Sequence, residues 1–344
     1  MIAWWKSTPL WPAGHLPLKG GDRTDRFAGA FSAALTAGES FCDSQSPPLR
    51  GRWPAGQRGV QRALRKTVIS LTALAFSCLP ALAQAPTRVM SLNLCTDQLA
   101  MALAAQGQLI SISFLSRDPS LSPMREEAET YPVNHGRAEE VFLQRPDLVV
   151  TGTYSLQNTT GLLKRLGFRV EEFSFVQTVA TVPADIRRMG ALLGRDAQAE
   201  AMADSFEQEL SQIEARQCGR RPTAIAFEQG GVAAGSGTLA DSVLAAAGFR
   251  NLAAEAGIAG MAPMPIELIV TQKPDVIITR AGEEDTPSLG AKVPYHPALR
   301  ALHGTRIGPF VPRGTWSCGG PFVIEAVRSL AALREEIAPC GATQ

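Results

Sequence analysis

Beyond residue 84 the chain holds its three tyrosines (Tyr131, Tyr154, Tyr295), a single tryptophan (Trp316), three histidines (His135, His296, His303) and four cysteines (Cys95, Cys218, Cys318, Cys340). Aromatic rings in loops give large flat contacts for a planar ligand. Arginines such as Arg117 and Arg280 can pair with carboxylate, phosphate or an anionic chelate. A bare Zn²⁺ or Mn²⁺ site needs three or four converging N or O ligands. The histidine spacing offers no such cluster, and no Cys-x-x-Cys or Cys/His zinc pattern is present. Catalytic signatures are equally absent: no Gly-x-Ser-x-Gly elbow, no Walker A sequence, no His-Glu-x-x-His. Gly235-Ser236-Gly237 precedes a helix and could receive an anion, but lacks the full dinucleotide pattern. The chemistry these residues support is recognition rather than catalysis. No catalytic residue, metal site or cofactor is expected.

The elements that must position them form a repeat. Residues 139–151, EEVFLQRPDLVVT, align with 267–279, ELIVTQKPDVIIT, matching Glu139 to Glu267, Pro146 to Pro274 and Asp147 to Asp275. Each copy reads as a short helix stopped by Arg/Lys-Pro-Asp. A β-branched run follows that suits a strand buried on both faces of a parallel sheet. Upstream, RVMSLN (88–93) and TAIAFEQ (223–229) read as strands that lead into helices. Between the halves, an apolar stripe of Ile186, Met189 and Leu193 marks one helix. A longer helix is predicted from about Ala197 to Gln217, on Met202, Phe206, Leu210 and Ile213. The expected fold is α/β: two mostly parallel-sheet lobes, 86–180 and 222–340, joined by one long spanning α-helix within a helical linker, 183–217.

Composition is uneven along the chain. The 344 residues carry net charge +1, with 45% hydrophobic and 19% charged residues. These values exclude a disordered tail and argue against a nucleic-acid binder. Residues 1–83 hold 10 basic and 4 acidic side chains, whereas 84–344 hold 23 and 28. Residues 61–83 have the zones of a cleavable signal peptide: basic Arg62, Arg65 and Lys66, an apolar Thr67–Leu79, then Ala81-Leu82-Ala83. Export to the periplasm with cleavage near Ala83 is expected. Residues 1–60, rich in Pro, Gly, Ser and Arg, read as a non-native or disordered upstream extension, with Val60 as an alternative start.

Two α/β lobes, a long connecting helix and an export signal together resemble the periplasmic substrate-binding proteins of ABC importers, helical-spine class, and most closely their cobalamin and ferric-siderophore binding family. The motifs that carry the resemblance are RVMSLNLCTDQLAMALA, the twin helix-(R/K)PD-strand segments and TWSCGGPFVIEAVRSLAALR. The resemblance implies capture of a metal chelate, cobalamin or a ferric siderophore, between the lobes, and delivery to an ABC permease dimer with its ATPase by a monomeric protein. In that family a glutamate on each lobe docks onto the permease. The matching positions are Glu139 and Glu267, each seven residues before the proline. A helix-dipole role for these first-turn acids is the ordinary alternative. Haem or a free metal ion on the same fold, or a ligand-sensing role, is the alternative function.

Ligands of doubly wound sheets sit beyond the carboxyl ends of the strands. The candidate ligand-binding residues are therefore Asn93, Cys95, Phe114, Tyr131, His135 and Tyr154 from the first lobe, with Arg280, Tyr295 and Trp316 from the second. The competing readings are packing for Trp316, solvation for Arg117 and local hydrogen bonding for His135 and His296. The four cysteines allow three pairings. Cys218 and Cys340 suit a staple between the long helix and the chain's end. Cys95 and Cys318, one in each lobe's cleft loops, could bridge the lobes, stay free or touch the ligand.

Overall fold

Strand β1 (Val89–Ser91) is buried throughout and begins the first lobe. The chain continues through α1 (Leu94–Leu103), β2 (Leu109–Ser113), a one-turn α2 (Arg125–Ala128), β3 (Val133–Asn134) and α3 (Ala138–Gln144). Strand β4 (Leu148–Gly152), α4 (Gln157–Arg165) and β5 (Val170–Phe173) complete it. The computed structural model describes residues 84–154, 156–282 and 287–340, so the signal segment 61–83 and the segment 1–60 lie outside the described residues. The five strands lie in the order β3-β2-β1-β4-β5, and every pairing is parallel. In register, Val89, Met90 and Ser91 face Leu148, Val149 and Val150. Both central strands are covered on both faces, which accounts for their continuous apolar runs.

Two helices follow: α5 (Val182–Leu193), with Pro183 in its first turn, and α6 (Asp196–Ala215), a 20-residue helix. Ala199, Ala203 and Phe206 are the buried side chains of α6.

The second lobe runs β6 (Thr223–Glu228), β7 (Val232–Ala234), α7 (Leu239–Ala246), β8 (Arg250–Asn251) and the single-turn α8 (Leu252–Glu255). It then continues through β9 (Met261–Pro263), α9 (Ile266–Gln272), β10 (Val276–Ile278), α10 (Pro297–Arg300), β11 (Arg306–Gly308) and α11 (Val323–Ile337). Its sheet has the order β11-β10-β6-β7-β9, with β8 also paired to β6. Strands β11, β10, β6 and β8 pair in parallel, but β7 and β9 are antiparallel additions. The second lobe is thus less uniformly parallel than the sequence pattern suggests. Only Gln229–Gly231 separates β6 from β7, too short a link for a crossover and long enough for a hairpin.

The paired Pro-Asp segments have a structural reason. Asp147 accepts hydrogen bonds from the Thr87 amide (2.8 Å), the Thr87 hydroxyl and the Arg88 amide, fixing the entry to β1. Asp275 does the same at β6, accepting from the amide and hydroxyl of Thr223 at 2.7 and 2.8 Å and from Arg220. Partial burial works to raise both carboxyls, but these donors outweigh it and hold them below the usual range. Each repeat therefore clamps the start of its own central strand.

The largest apolar cluster runs from Leu148 and Val150 through Ile186, Met189, Phe206, Val327 and Leu330 to Ala224 and Val276. Both sheets thus share one packed interior by way of α5, α6 and α11, and cores at this density do not slide freely.

Asp97, in the first turn of α1, is wholly buried and accepts from the Ser113 amide and the Ser116 hydroxyl at 3.0 and 2.7 Å. Burial pushes its carboxyl up to about 7, opposed by the Ser91, Ser116 and Ser113 hydrogen bonds. The folded protein thus binds this proton more tightly than the unfolded chain, whose Asp titrates near about 3.9. Its contribution to stability is complete below pH ~4 and is lost as pH rises through about 7. Asp97→Asn is expected to flatten the fall in melting temperature between about pH 4 and 7. A wild-type melting temperature that does not fall over that window would contradict the assignment.

Candidate functional site

The strand order 3-2-1-4-5 sends the chain away from β1 in opposite directions, to β2 on one side and β4 on the other. The helices that follow part at this point and leave a crevice beyond the carboxyl ends. The residues just past the five strands therefore line up in a fixed order: His135 after β3, Phe114 after β2, Asn93 after β1, Tyr154 after β4 and Phe175 after β5. The outer four form two pairs. Phe114 and His135 stack with ring centroids 5.0 Å apart, and Tyr154 and Phe175 with centroids 4.6 Å apart. At ~4.8 Å per strand, β2 and β4 stand about 10 Å apart across β1. Two aromatic walls thus flank a polar floor at Asn93.

These walls face outward. Phe114 is 46% exposed, Tyr154 72% and Phe175 64%. Asn93 caps α1, its Oδ1 accepting from the Cys95 amide at 2.9 Å, and Gly152 lies close beside its amide group. His135 is held from the other side by Glu140, whose carboxylate accepts from the His135 and Arg137 amides and meets Nδ1 at 3.3 Å. Desolvation works to raise the Glu140 carboxyl, but those donors hold it low. A cavity of about 150 Å³ opens at the β1–β4–β5 side, lined by Asn93, Cys95, Tyr154, Phe175 and Gln177 among others. A larger groove, about 530 Å³, lies where α6 meets α11, and none of the candidate cleft residues lines it: its lining runs from Ile213 to Cys340.

The remaining candidates are more embedded. Tyr131 and Trp316 are partly buried against the shared core. Burial, with Glu127 nearby, pushes the Tyr131 phenol up. Arg280 meets Glu228 at 3.1 Å, and the Tyr295 hydroxyl lies 2.9 Å from that of Thr279. Arg117 closes its own loop, donating to the carbonyls of Ala128 and Tyr131. His296 caps α10 through Nδ1. The first lobe therefore gathers Asn93, Cys95, Phe114, His135 and Tyr154 along one edge, while Tyr131, Tyr295 and Trp316 take packing or hydrogen-bonding positions. Phe175 and Gln177 were not anticipated. Both follow β5, so the strand-end rule applied to β5 as well would have found Phe175. Gln177 acts through a tertiary contact that has no local signal.

That contact belongs to a strap from the second lobe. Residues 312–322 leave the end of β11 and lie against first-lobe loops. A Cβ on Gly314 would stand 2.8 Å from the backbone of Ser122 and Pro123, and one on Gly319 would stand 2.6 Å from Gln177. Gln177 donates to the Gly319 carbonyl and accepts from its amide at 2.9 Å. Cys318 is bonded to Cys95, with Cα atoms 5.2 Å apart, and Cys218 to Cys340, at 5.5 Å. Both distances are ordinary for disulfides. The first bond ties the strap to α1 at the cleft wall. Charge adds to it: Asp118 of the first lobe is held low, mainly by Ser120 and further by the positive charge of Arg280 of the second.

Glu139 and Glu267 are both exposed and are the second residues of α3 and α9. Among the described residues, no group of three or more His, Cys, Asp or Glu side chains could hold a metal ion, and no helix is long and apolar enough to cross a membrane.

Two α/β lobes with ligand-accepting strand ends define a class of binding protein, and comparison with known proteins supplies the family. Residues 89–306 match the periplasmic binding protein family, and the chain belongs to it. It is a binding protein rather than an enzyme. It is 25% identical over 246 residues to the vitamin B12-binding protein of Yersinia pestis (strain Pestoides F), covering 69% of this chain and 82% of that one. Among solved structures, the periplasmic heme-binding protein RhuT from Roseiflexus sp. RS-1 in apo form matches with a TM-score of 0.59 at 22% identity, covering 73% of this chain and 97% of that one. The periplasmic vitamin B12 binding protein BtuF of Vibrio cholerae matches with a TM-score of 0.56 at 16% identity, covering 73% and 98%. These likenesses are to the fold.

The Cys95–Cys318 bond joins residues 223 apart in sequence, so it restricts the unfolded chain strongly. Replacing both cysteines by serine is expected to lower stability by about 2–5 kcal/mol, read as a drop in the urea midpoint with far-ultraviolet circular dichroism unchanged. An unaltered midpoint would remove the bond from the account of how the lobes are held.

Proposed function

We propose that the chain is the exported binding component of an ABC import system, and that it captures a flat metallated macrocycle of the cobalamin kind. The observation that carries this reading is the edge order His135–Phe114–Asn93–Tyr154–Phe175, with stacked pairs on either side of the switch point. Exposed stacked rings suit a broad rigid face, and Asn93 supplies a polar group at the centre. The vitamin B12-binding relative, matched over 82% of its length, favours a corrinoid. Haem is the second reading, favoured by the exposed His135 beside Phe114 and by the heme-binding structural neighbours. A ferric siderophore is a third ligand of the same size class. The lack of a convergent donor cluster among the described residues counts against a bare ion.

Export follows from the signal-like segment 61–83, and the periplasm is the compartment in which both disulfides persist. The protein acts as a monomer. Helix α6 and the strap keep the lobes at a nearly fixed spacing, so capture involves loop adjustment more than hinge closure. Glu139 and Glu267, at equivalent places on the two lobes, dock onto a two-fold permease with its ATPase, where charge complementarity sets orientation.

Titration with cyanocobalamin, haemin and a ferric siderophore, followed by Trp316 fluorescence, is expected to show the tightest binding for cyanocobalamin. Tyr154→Ala with Phe175→Ala is expected to weaken it about tenfold or more. If none of the three changes fluorescence or melting temperature, the ligand class is wrong. If haemin binds tightest, the second reading replaces the first.

A further inference from the structure

The two helices that carry Glu139 and Glu267 are matched in backbone but not in surface. Each starts one residue before its glutamate, and each ends in a residue with positive φ, Arg145 at 45° and Lys273 at 48°, ahead of proline. On α3, Glu139, Phe142 and Leu143 are spaced i, i+3, i+4 and so share one face. All three point outward: Phe142 is 54% exposed and Leu143 80%. Val141, fully buried among Met90, Val149 and Leu163, fastens the helix from its opposite side. The equivalents on α9 are Glu267, Val270 and Thr271. There Val270 packs against the second lobe's core, and Thr271 donates to the Glu267 carbonyl at 2.7 Å.

The repeat thus contains its own control. The same fold position carries a half-buried valine and a polar threonine in one lobe, so folding does not require a projecting phenylalanine and leucine in the other. Burying two such side chains supplies an apolar driving force that folding leaves unused on α3. Adjacent exposed apolar side chains beside a carboxylate fit a binding face with an apolar centre and a charged rim.

We infer that α3 is the principal anchor for the membrane permease, with Phe142 and Leu143 entering an apolar socket whose basic rim receives Glu139, while α9 contributes mainly the charge of Glu267. Among the described residues, the one exposed large apolar side chain on α9 is the less exposed Leu268, at 36%. The inference rests on the docking role proposed above for the two glutamates. Continuity with Glu139 points to the permease as occupant. A self-dimer through α3 would use one lobe and leave the equivalent Glu267 face without a role. The two contacts are therefore unequal although the lobes repeat each other.

The test uses the full mature chain loaded with cyanocobalamin and its cognate permease–ATPase complex, purified in lipid nanodiscs. Phe142→Ser with Leu143→Ser is expected to weaken association about tenfold or more, with cyanocobalamin affinity and melting temperature retained. Leu143→Lys alone, at the more exposed position, is the second variant and should show a loss of the same kind. Thr271→Ser should stay within about twofold. If the apolar variants bind the permease as wild type does while Glu139→Arg with Glu267→Arg does not, the anchor is wrong and the docking role stands. If the charge-reversed variant also binds normally, the docking role falls with it. A wild-type dimer in solution that the apolar variants convert to monomer would assign the face to self-association and overturn the inference.

Discussion

The position of β1 constrains everything else in the first lobe. It lies at the middle of a parallel sheet, and the chain leaves it toward β2 on one side and returns beside it as β4 on the other. Parallel strands oblige every connection to cross over the sheet, so all five carboxyl ends open on one edge. The crevice exists because crossovers from a central strand must diverge. Asn93 sits at that divergence, and the aromatic pairs flank it because β3 adjoins β2 and β5 adjoins β4. Asp147 supports the arrangement from below by fixing where β1 begins. A slip in that strand would misplace the whole edge.

The second constraint acts between the lobes. A shared apolar interior, the glycine-dependent strap and the Cys95–Cys318 bond hold the same two bodies by three different means. Packing resists shear, the covalent bond limits separation, and the Gln177–Gly319 exchange fixes orientation. A crevice held in this way has little freedom to change its width. What remains adjustable lies on its rim, where Phe114, Tyr154 and Phe175 are all well exposed. Rigidity beneath and freedom at the rim are compatible, because the rim side chains carry little of the packing.

Much of this is legible in the sequence where the signal is local. Continuous β-branched runs after Pro146 and Pro274 mark buried parallel strands, and the strand-end rule finds Asn93, Phe114, His135 and Tyr154. Of the three pairings that four cysteines allow, the one joining Cys218 to Cys340 suits their places along the chain and is the one that forms. Legibility fails where distant backbones meet. Gly314 and Gly319 look like ordinary loop glycines until Ser122 and Gln177 are placed against them. Trp316 reads as a cleft aromatic from its position after β11; the strap packs it partly against the shared core while it still lines a small pocket with Ser120 and Arg280, a double placement with no local signal. The β6–β7 hairpin was hidden by the expectation that every strand in an α/β lobe is followed by a helix.

The repeat shows which features the fold demands and which it leaves open. Asp147 and Asp275, with Arg145 and Lys273 before the prolines, are kept in both lobes because each central strand needs its clamp and each short helix its abrupt stop. Divergence falls at the edges. The first lobe has five parallel strands and a row of outward aromatics, whereas the second spends its equivalent edge on the Arg280–Glu228 pair, the Tyr295–Thr279 contact and the strap. One lobe thus presents the outward aromatic edge, and the other supplies the structure that holds that edge in place. Such a division requires the lobes to be fixed to each other, since a support on a hinge would not support. The strap and the disulfide follow from that requirement, which explains why they join the second lobe to the wall of the first lobe's crevice rather than to its far side.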